Sequence, residues 1–169
     1  TIELESEVGK GSRFIVTLPL REVEGAAQQR PASLAEARLG VLESNEMKRG
    51  MVKGLVGPHV RSAVDTPDGA AALEQVTLGA VDHLLIDTGS ATLTGQSRLE
   101  ALTQVIDRAE KAGVITTVLL SPDEELSVEA VAALRPTALL IKPVKGGELM
   151  RALRGAYPPD ERVTLLQVA

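Results

Sequence analysis

Short apolar runs alternate with helix-like segments from Arg38 onward, and this alternation constrains the fold more than any other feature of the sequence. The predicted strands occupy residues 39–43, 60–64, 80–87, 114–120 and 137–141. Five successive strand–helix units indicate a parallel sheet that is covered by helices on both faces. Burial on both faces also explains why residues 118–120 and 138–141 are continuously apolar.

Helix-start signals follow the predicted strands. Asn45 can cap a helix that carries Met47, Met51, Val52 and Leu55 on one side. Thr66-Pro67-Asp68 has the pattern of an N-cap, a proline at the first helical position and an acidic first turn. Ser97 and Glu100 fit a capping box, and Gly113 is the expected stop of that helix. Two further helices are expected to open at Asp123-Glu124-Glu125 and to cover residues 148–154.

The first 37 residues have a different character. Residues 1–20 show period-2 alternation in two stretches joined by Gly9-Lys10-Gly11-Ser12, which predicts an antiparallel hairpin. An isolated hairpin is marginal in water, so we expect it to belong to a larger unit. Residues 21–37 show no apolar period and are predicted to be a linker with a short helical stretch around residues 33–36.

Composition excludes several classes of function. The chain has no cysteine, so disulfide scaffolds, thiol catalysis and cysteine-based zinc sites are excluded. Phe14 and Tyr157 are its two aromatic residues and the net charge is −5, which argues against nucleic-acid binding. The N-terminus lacks the pattern of a signal peptide and no apolar run approaches the roughly 20 residues that span a bilayer. We therefore expect a cytoplasmic chain without membrane contact.

Polar residues stand where four of the predicted strands end. They are Glu43 followed by Ser44, then Asp87, Ser121 and Lys142. The carboxyl ends of parallel strands meet at one edge of a sheet, so these side chains are expected to converge. Each of them could merely cap a helix or lie in a wet loop. Together they suit phosphate chemistry, in which a carboxylate accepts a phosphoryl group, a lysine neutralises charge and acidic residues hold Mg²⁺.

Residues 38–157 resemble a response-regulator receiver domain. The match rests on Asp87 at the phosphoacceptor position, Gly95 after it, Ser121 after the fourth strand and the pair Lys142-Pro143. The resemblance implies a flavodoxin-like (βα)5 fold with a five-stranded parallel sheet. It also implies that Asp87, Ser121 and Lys142 carry the chemistry and that Glu43 and Asp87 contact Mg²⁺.

The hairpin carries a second resemblance. Residues 6–14, with Thr17-Leu18-Pro19-Leu20, look like the last hairpin of a histidine-kinase ATP-binding domain. The layout would then be a kinase remnant at 1–20, a linker at 21–37, a receiver-like domain at 38–157 and a tail or linker at 158–169. This is the order of a hybrid sensor histidine kinase. The chain lacks the family's phosphoacceptor histidine motif and ATP-binding boxes, so by itself it should not autophosphorylate.

Several departures from the receiver pattern predict a degenerate domain, often called a pseudo-receiver. Ser44 stands where the family has an acidic residue that ligates the metal directly, so Mg²⁺ binding should weaken. Leu139 stands at the aromatic switch position, and Pro122 replaces the small residue that normally follows Ser121. These departures predict that transfer of a phosphoryl group to Asp87 slows or fails.

Three functions remain open at this point. A degenerate receiver would regulate the histidine-kinase core of the same protein by docking. An active receiver would take a phosphoryl group on Asp87 and exchange it with a phosphotransfer protein or a second receiver. A third alternative is binding of a cyclic dinucleotide, with Lys145, Arg151 and Arg154 holding its phosphates, although no aromatic residue stands near for base stacking.

Overall fold

The computed structural model describes residues 2–7, 11–16, 33–121, 126–156 and 164–165. At the N-terminus, β1 (Ile2–Glu7) and β2 (Gly11–Val16) form an antiparallel hairpin. Ile2 pairs with Val16 and Glu7 pairs with Gly11. This confirms the predicted hairpin. Residues 17–32 lie outside the described part of the chain, and within the expected linker Leu34–Glu36 form a single 3₁₀ turn.

A parallel sheet forms the centre of the larger unit. Its strands are β3 (Arg38–Leu42), β4 (Ser62–Thr66), β5 (His83–Asp87), β6 (Ile115–Leu120) and β7 (Ala138–Ile141). They lie in the order β4-β3-β5-β6-β7, and every neighbouring pair is parallel. This confirms the predicted flavodoxin-like architecture.

A short sixth strand extends the sheet at one edge. It is β8 (Thr164–Leu165), which pairs in parallel with Ala138 and Leu139. It falls within the segment that we expected to be a tail or linker. Two residues are too few to show a strand pattern in the sequence, so periodicity could not have indicated it.

Within the described ranges, five helices connect and cover the strands. They are α1 (Glu46–Val56), α2 (Gly69–Thr77), α3 (Arg98–Lys111), α4 (Val128–Ala133) and α5 (Gly146–Gly155). Asn45 caps α1 by accepting from the Lys48 amide at 3.0 Å, and Ser97 and Glu100 form the predicted capping box. Among the described residues no helix is long and apolar enough to cross a membrane.

The predicted start of α2 was wrong. Thr66 is the last residue of β4 and is fully buried, so it does not cap the helix. Asp68 is the cap, because its carboxylate accepts from the Ala71 amide at 2.8 Å. The predicted strand 60–64 begins two residues later than expected. Val60 ends the 3₁₀ turn Gly57–His59, and strand pairing begins only at Ser62.

Side chains alternate across the strands and build one hydrophobic core on each face of the sheet. Leu84 and Ile86 point to the face covered by α2, α3 and α4, where α3 buries five residues. Leu85 points to the opposite face, where it packs with α1 and α5. The sheet thereby fixes which loops meet at its carboxyl edge, and these loops carry the candidate site.

The loop after β5 approaches α2 closely. The Gly69 amide donates to the Thr92 carbonyl oxygen at 3.1 Å. A Cβ atom on Gly69 would lie 2.7 Å from that oxygen, which is closer than real Cβ atoms come to a backbone atom. Glycine is therefore required at this contact for steric reasons.

Candidate functional site

The four residues predicted at the carboxyl edge lie around one groove. Glu43 follows β3, Asp87 ends β5, Ser121 follows β6 and Lys142 follows β7, and all four line the groove. Their convergence follows from parallel strands that end at the same edge of the sheet. Their individual roles in phosphate chemistry remain predictions.

Neighbouring hydrogen-bond donors already contact both oxygen atoms of the Asp87 carboxylate. Its side chain is buried and its Oδ1 accepts from the Gly89 amide at 2.9 Å. Its Oδ2 forms an ion pair with the Lys142 ammonium group. Lys142 is joined to Pro143 by a cis peptide bond and enters the groove directly after β7. The negative charge of Asp87 therefore has a counter-ion from the chain itself.

Glu43 lies beside Asp87 and is equally buried. Its Oε1 accepts from the Asn45 amide at 2.9 Å. Burial raises the pKa of Glu43, and the neighbouring Asp87 carboxyl raises this pKa further, while the Asn45 amide opposes the shift. Glu43 therefore holds a proton more readily than an isolated glutamate in water does.

Ser90 is a site residue that the sequence did not reveal. It is 3% exposed, and its hydroxyl accepts from the Ser44 amide at 2.9 Å. The same hydroxyl lies 3.1 Å from Ser44 Oγ and 3.4 Å from Glu43 Oε1. Ser90 belongs to the 3₁₀ turn Thr88–Ser90 after Asp87. A serine in a loop gives no sequence signal, because its position depends on that turn.

Arg49 is the second residue that the sequence did not reveal. From the first turns of α1 its guanidinium donates to the Glu43 carbonyl oxygen at 2.6 Å and reaches the Ser44 carbonyl oxygen at 3.4 Å. Its Nε lies 3.4 Å from Asp65 Oδ1, which also receives Lys53. Arg49 thus holds α1 against the end of β3. An arginine on a helix usually indicates a solvated face, so its sequence context was uninformative.

The donor set is reduced for Mg²⁺, the ion that the resemblance to receiver domains implies. Mg²⁺ demands near-octahedral oxygen ligands at about 2.1 Å and favours carboxylates. Glu43 and Asp87 are two carboxylates, position 44 offers a hydroxyl, and among the described residues no three acidic, histidine or cysteine side chains cluster closely enough for a metal. Both Asp87 oxygens and one Glu43 oxygen already hold donors. The residues present would therefore offer Mg²⁺ a weak site, with Glu43 and Asp87 as its two carboxylate ligands.

The rest of the groove is apolar. It runs between α1 and α5, measures about 710 Å³, and is lined by Met51, Val52, Leu55, Val144 and Leu149 beyond the polar end. Met47 and Met51 are 78% and 71% exposed. Of the apolar side of α1 that the sequence revealed, Met47 and Met51 therefore face solvent, whereas Val52 packs partly against the core and Val56 is buried in it.

The three basic residues considered for a dinucleotide do not form one cluster. Lys145 precedes α5, whereas Arg151 and Arg154 lie one turn apart farther along the helix, and all three are exposed. Nine residues of helix place Lys145 about 13 Å from Arg154 along the axis and on the opposite side. Leu139 at the switch position is buried in the core. Pro122 and Asp123-Glu124-Glu125 lie outside the described residues.

Comparison with known proteins places this fold among receiver domains. No protein-family model and no curated protein matches the sequence. A putative response regulator from Chloroflexus aurantiacus matches with a TM-score of 0.59 and 16% identity, over 72% of this chain and 98% of that one. The Vibrio cholerae chemotaxis protein CheY4 matches with a TM-score of 0.55 and 20% identity, over 70% and 97%.

A third solved structure shows a receiver domain with its partner. It is the Saccharomyces cerevisiae complex of the histidine phosphotransfer protein Ypd1 with the receiver domain of Ssk1. The match has a TM-score of 0.57 and 18% identity, over 71% of this chain and 88% of that one. At these identities the likeness establishes the fold: the larger unit has the flavodoxin-like fold of response-regulator receiver domains.

Proposed function

We propose that residues 38–157 are a degenerate receiver that acts in two-component signalling by docking rather than by taking a phosphoryl group. One observation carries this proposal: Asp87 and Lys142 form an ion pair, while position 44 is a serine where the receiver pattern has a carboxylate. The charge and the lysine of the site are retained, but the ligand set for the metal is not. The hybrid-kinase setting is supported by the resemblance of the N-terminal hairpin to a kinase domain.

Phosphorylation of Asp87 tests the first half of the proposal. The chain is incubated with acetyl phosphate, or with a phosphohistidine protein, in the presence of Mg²⁺, and D87N serves as the matched control. We expect wild type to carry no more label than D87N, because the metal that neutralises phosphate charge lacks the carboxylate ligand at position 44. Label on Asp87 that D87N loses would contradict degeneracy. Such labelling would favour an active receiver. The position of Asp87, Ser121 and Lys142 around one groove is the observation that supports this alternative.

The exposed apolar groove supports the docking half of the proposal. Contiguous exposed apolar surface commonly marks a binding face. We propose the kinase core of the parent protein as the partner, or a phosphotransfer protein of the kind seen with the Ssk1 receiver.

Docking is tested in the parent kinase with two matched substitutions. M51E places a charge in the groove, and L78E places one at a similarly exposed leucine, 68% exposed, after α2. We expect M51E to change kinase autophosphorylation as much as deletion of residues 38–157 does, whereas L78E leaves it unchanged. Equal effects of both substitutions, or no effect of the deletion, would contradict docking through the groove.

A further inference from the structure

Glu43 and Asp87 form an acidic cluster whose oxygen atoms bind hydrogen-bond donors of the chain itself. The Ser90 hydroxyl is one of these donors. Ser90 Oγ accepts the Ser44 amide at 2.9 Å and has two possible acceptors, Ser44 Oγ at 3.1 Å and Glu43 Oε1 at 3.4 Å. On the other side of the cluster the Lys142 ammonium group is paired with Asp87. A cation entering between Glu43, Ser44 and Asp87 would compete with both donors for these oxygen atoms.

We propose that Ser90 and Lys142 hold the acidic cluster in a metal-free form, and that Ser90, together with Ser44, determines whether a divalent cation binds. This inference rests on the proposed degenerate receiver and adds a residue that the receiver pattern does not indicate. Lys142 supplies the positive charge that an ion would otherwise bring to Asp87. Ser90 supplies the hydrogen bond that ties the loop after Asp87 to the end of β3.

The consequence concerns what it takes to restore a metal site. In wild type, Ser44 Oγ lies 3.1 Å from Ser90 Oγ. The carboxylate introduced by S44D would therefore lie within hydrogen-bond distance of the Ser90 hydroxyl. Hydrogen bonds to charged acceptors are the stronger ones, so Ser90 would donate to the new carboxylate and compete with the ion for it. S44D alone should therefore restore metal binding incompletely, although it restores the third carboxylate.

Equilibrium binding of Mn²⁺ and Mg²⁺ tests this proposal on the intact chain. Free Mn²⁺ is followed by electron paramagnetic resonance while it is titrated into wild type, S90A, S44D/S90A and S44D/S62A, and Mg²⁺ is added as a competitor. Ser62 is an exposed serine at the opposite end of the sheet, so S62A is the matched control for S90A. Circular dichroism reports whether each variant is folded, and S90G replaces S90A if the latter is not.

We expect no saturable binding to wild type or S90A, and binding to S44D/S90A that is about tenfold tighter than binding to S44D/S62A. S44D/S90T keeps a hydroxyl at position 90 and should behave like S44D/S62A. Wild type that binds Mn²⁺ as tightly as S44D/S90A would overturn the proposal. So would equal affinities of S44D/S90A and S44D/S62A, including the case in which neither binds. Labelling of Asp87 is a separate observation, and it would refute the proposed function without deciding the titration.

Discussion

The helices on the two faces of the central sheet bury different numbers of apolar side chains. On the face covered by α2, α3 and α4, the helix α3 buries Ala101, Leu102, Val105, Ile106 and Ala109. On the other face α1 buries Val56 and leaves Met47 and Met51 largely exposed, and the groove lies beside them. Helix α1 is held by polar contacts at its start, through the Asn45 cap and Arg49. We therefore call the first face closed and the second open, although α5 buries Leu149, Met150, Ala152 and Leu153 on the second.

Truncation of one apolar side chain on each face should give the largest contrast. Leu102 is fully buried, so L102A should cost about 3 kcal/mol of unfolding free energy through lost burial and the cavity left behind. Met51 is mostly in water, so M51A should stay within about 0.5 kcal/mol of wild type. Urea denaturation of the intact chain measures both values. If M51A were as costly as L102A, Met51 would be a core residue and the two faces would not differ in this way.

The open face also buries a titratable histidine, and this residue should make stability depend on pH. His83 lies two residues from Leu85 on β5, and its Nε2 is 2.9 Å from Thr117 Oγ1. Burial lowers the pKa of His83 to about 3. Below pH 6.5 the unfolded chain takes up a proton that the folded chain refuses, so stability falls as pH drops from 6.5 toward 3.

This dependence is measurable as a difference between two proteins. Between pH 7 and pH 5 wild type should lose about 2 kcal/mol more than H83Q, which has no titrating ring. Denaturation midpoints at several pH values measure this loss, and taking the difference removes the contribution of Glu43, whose raised pKa acts in the opposite sense. Parallel pH profiles for the two proteins would show that His83 is protonated as easily in the folded state as in the unfolded chain.

The closed face contains a buried threonine, Thr66, whose hydroxyl should lower stability. Thr66 Oγ1 is buried and has no hydrogen-bond partner among the described residues. A buried hydroxyl without a partner costs free energy, so T66V should raise the unfolding free energy by about 1 kcal/mol. T117V is the matched control, because it removes a hydroxyl that does bond His83 and should lower stability by a similar amount. Destabilisation by both variants would mean that Thr66 finds a partner in solution.

The same contrast explains what could be predicted from the sequence. Strands buried on both faces are continuous apolar runs, and the capping box at Ser97 is a local pattern, so both were readable. Asp87 and Lys142 were expected together because parallel strands end at one edge. Arg49 and Ser90 were not, since their contacts depend on how far a side chain reaches and how one turn closes. Thr66 was taken for a cap because Thr66 and Asp68, two residues apart, both suit that position, and only the end of β4 decides between them.

The contact between Gly69 and Thr92 has a consequence for how this chain can vary. Gly69 is far from Asp87 in the sequence, yet a side chain at position 69 would push against the backbone that follows Asp87. A library of random substitutions should therefore tolerate few replacements at Gly69, although the residue touches nothing in the groove. The sequence of the loop after Asp87 and the sequence of the first turn of α2 therefore constrain each other, and a substitution in one limits the substitutions that the other can accept.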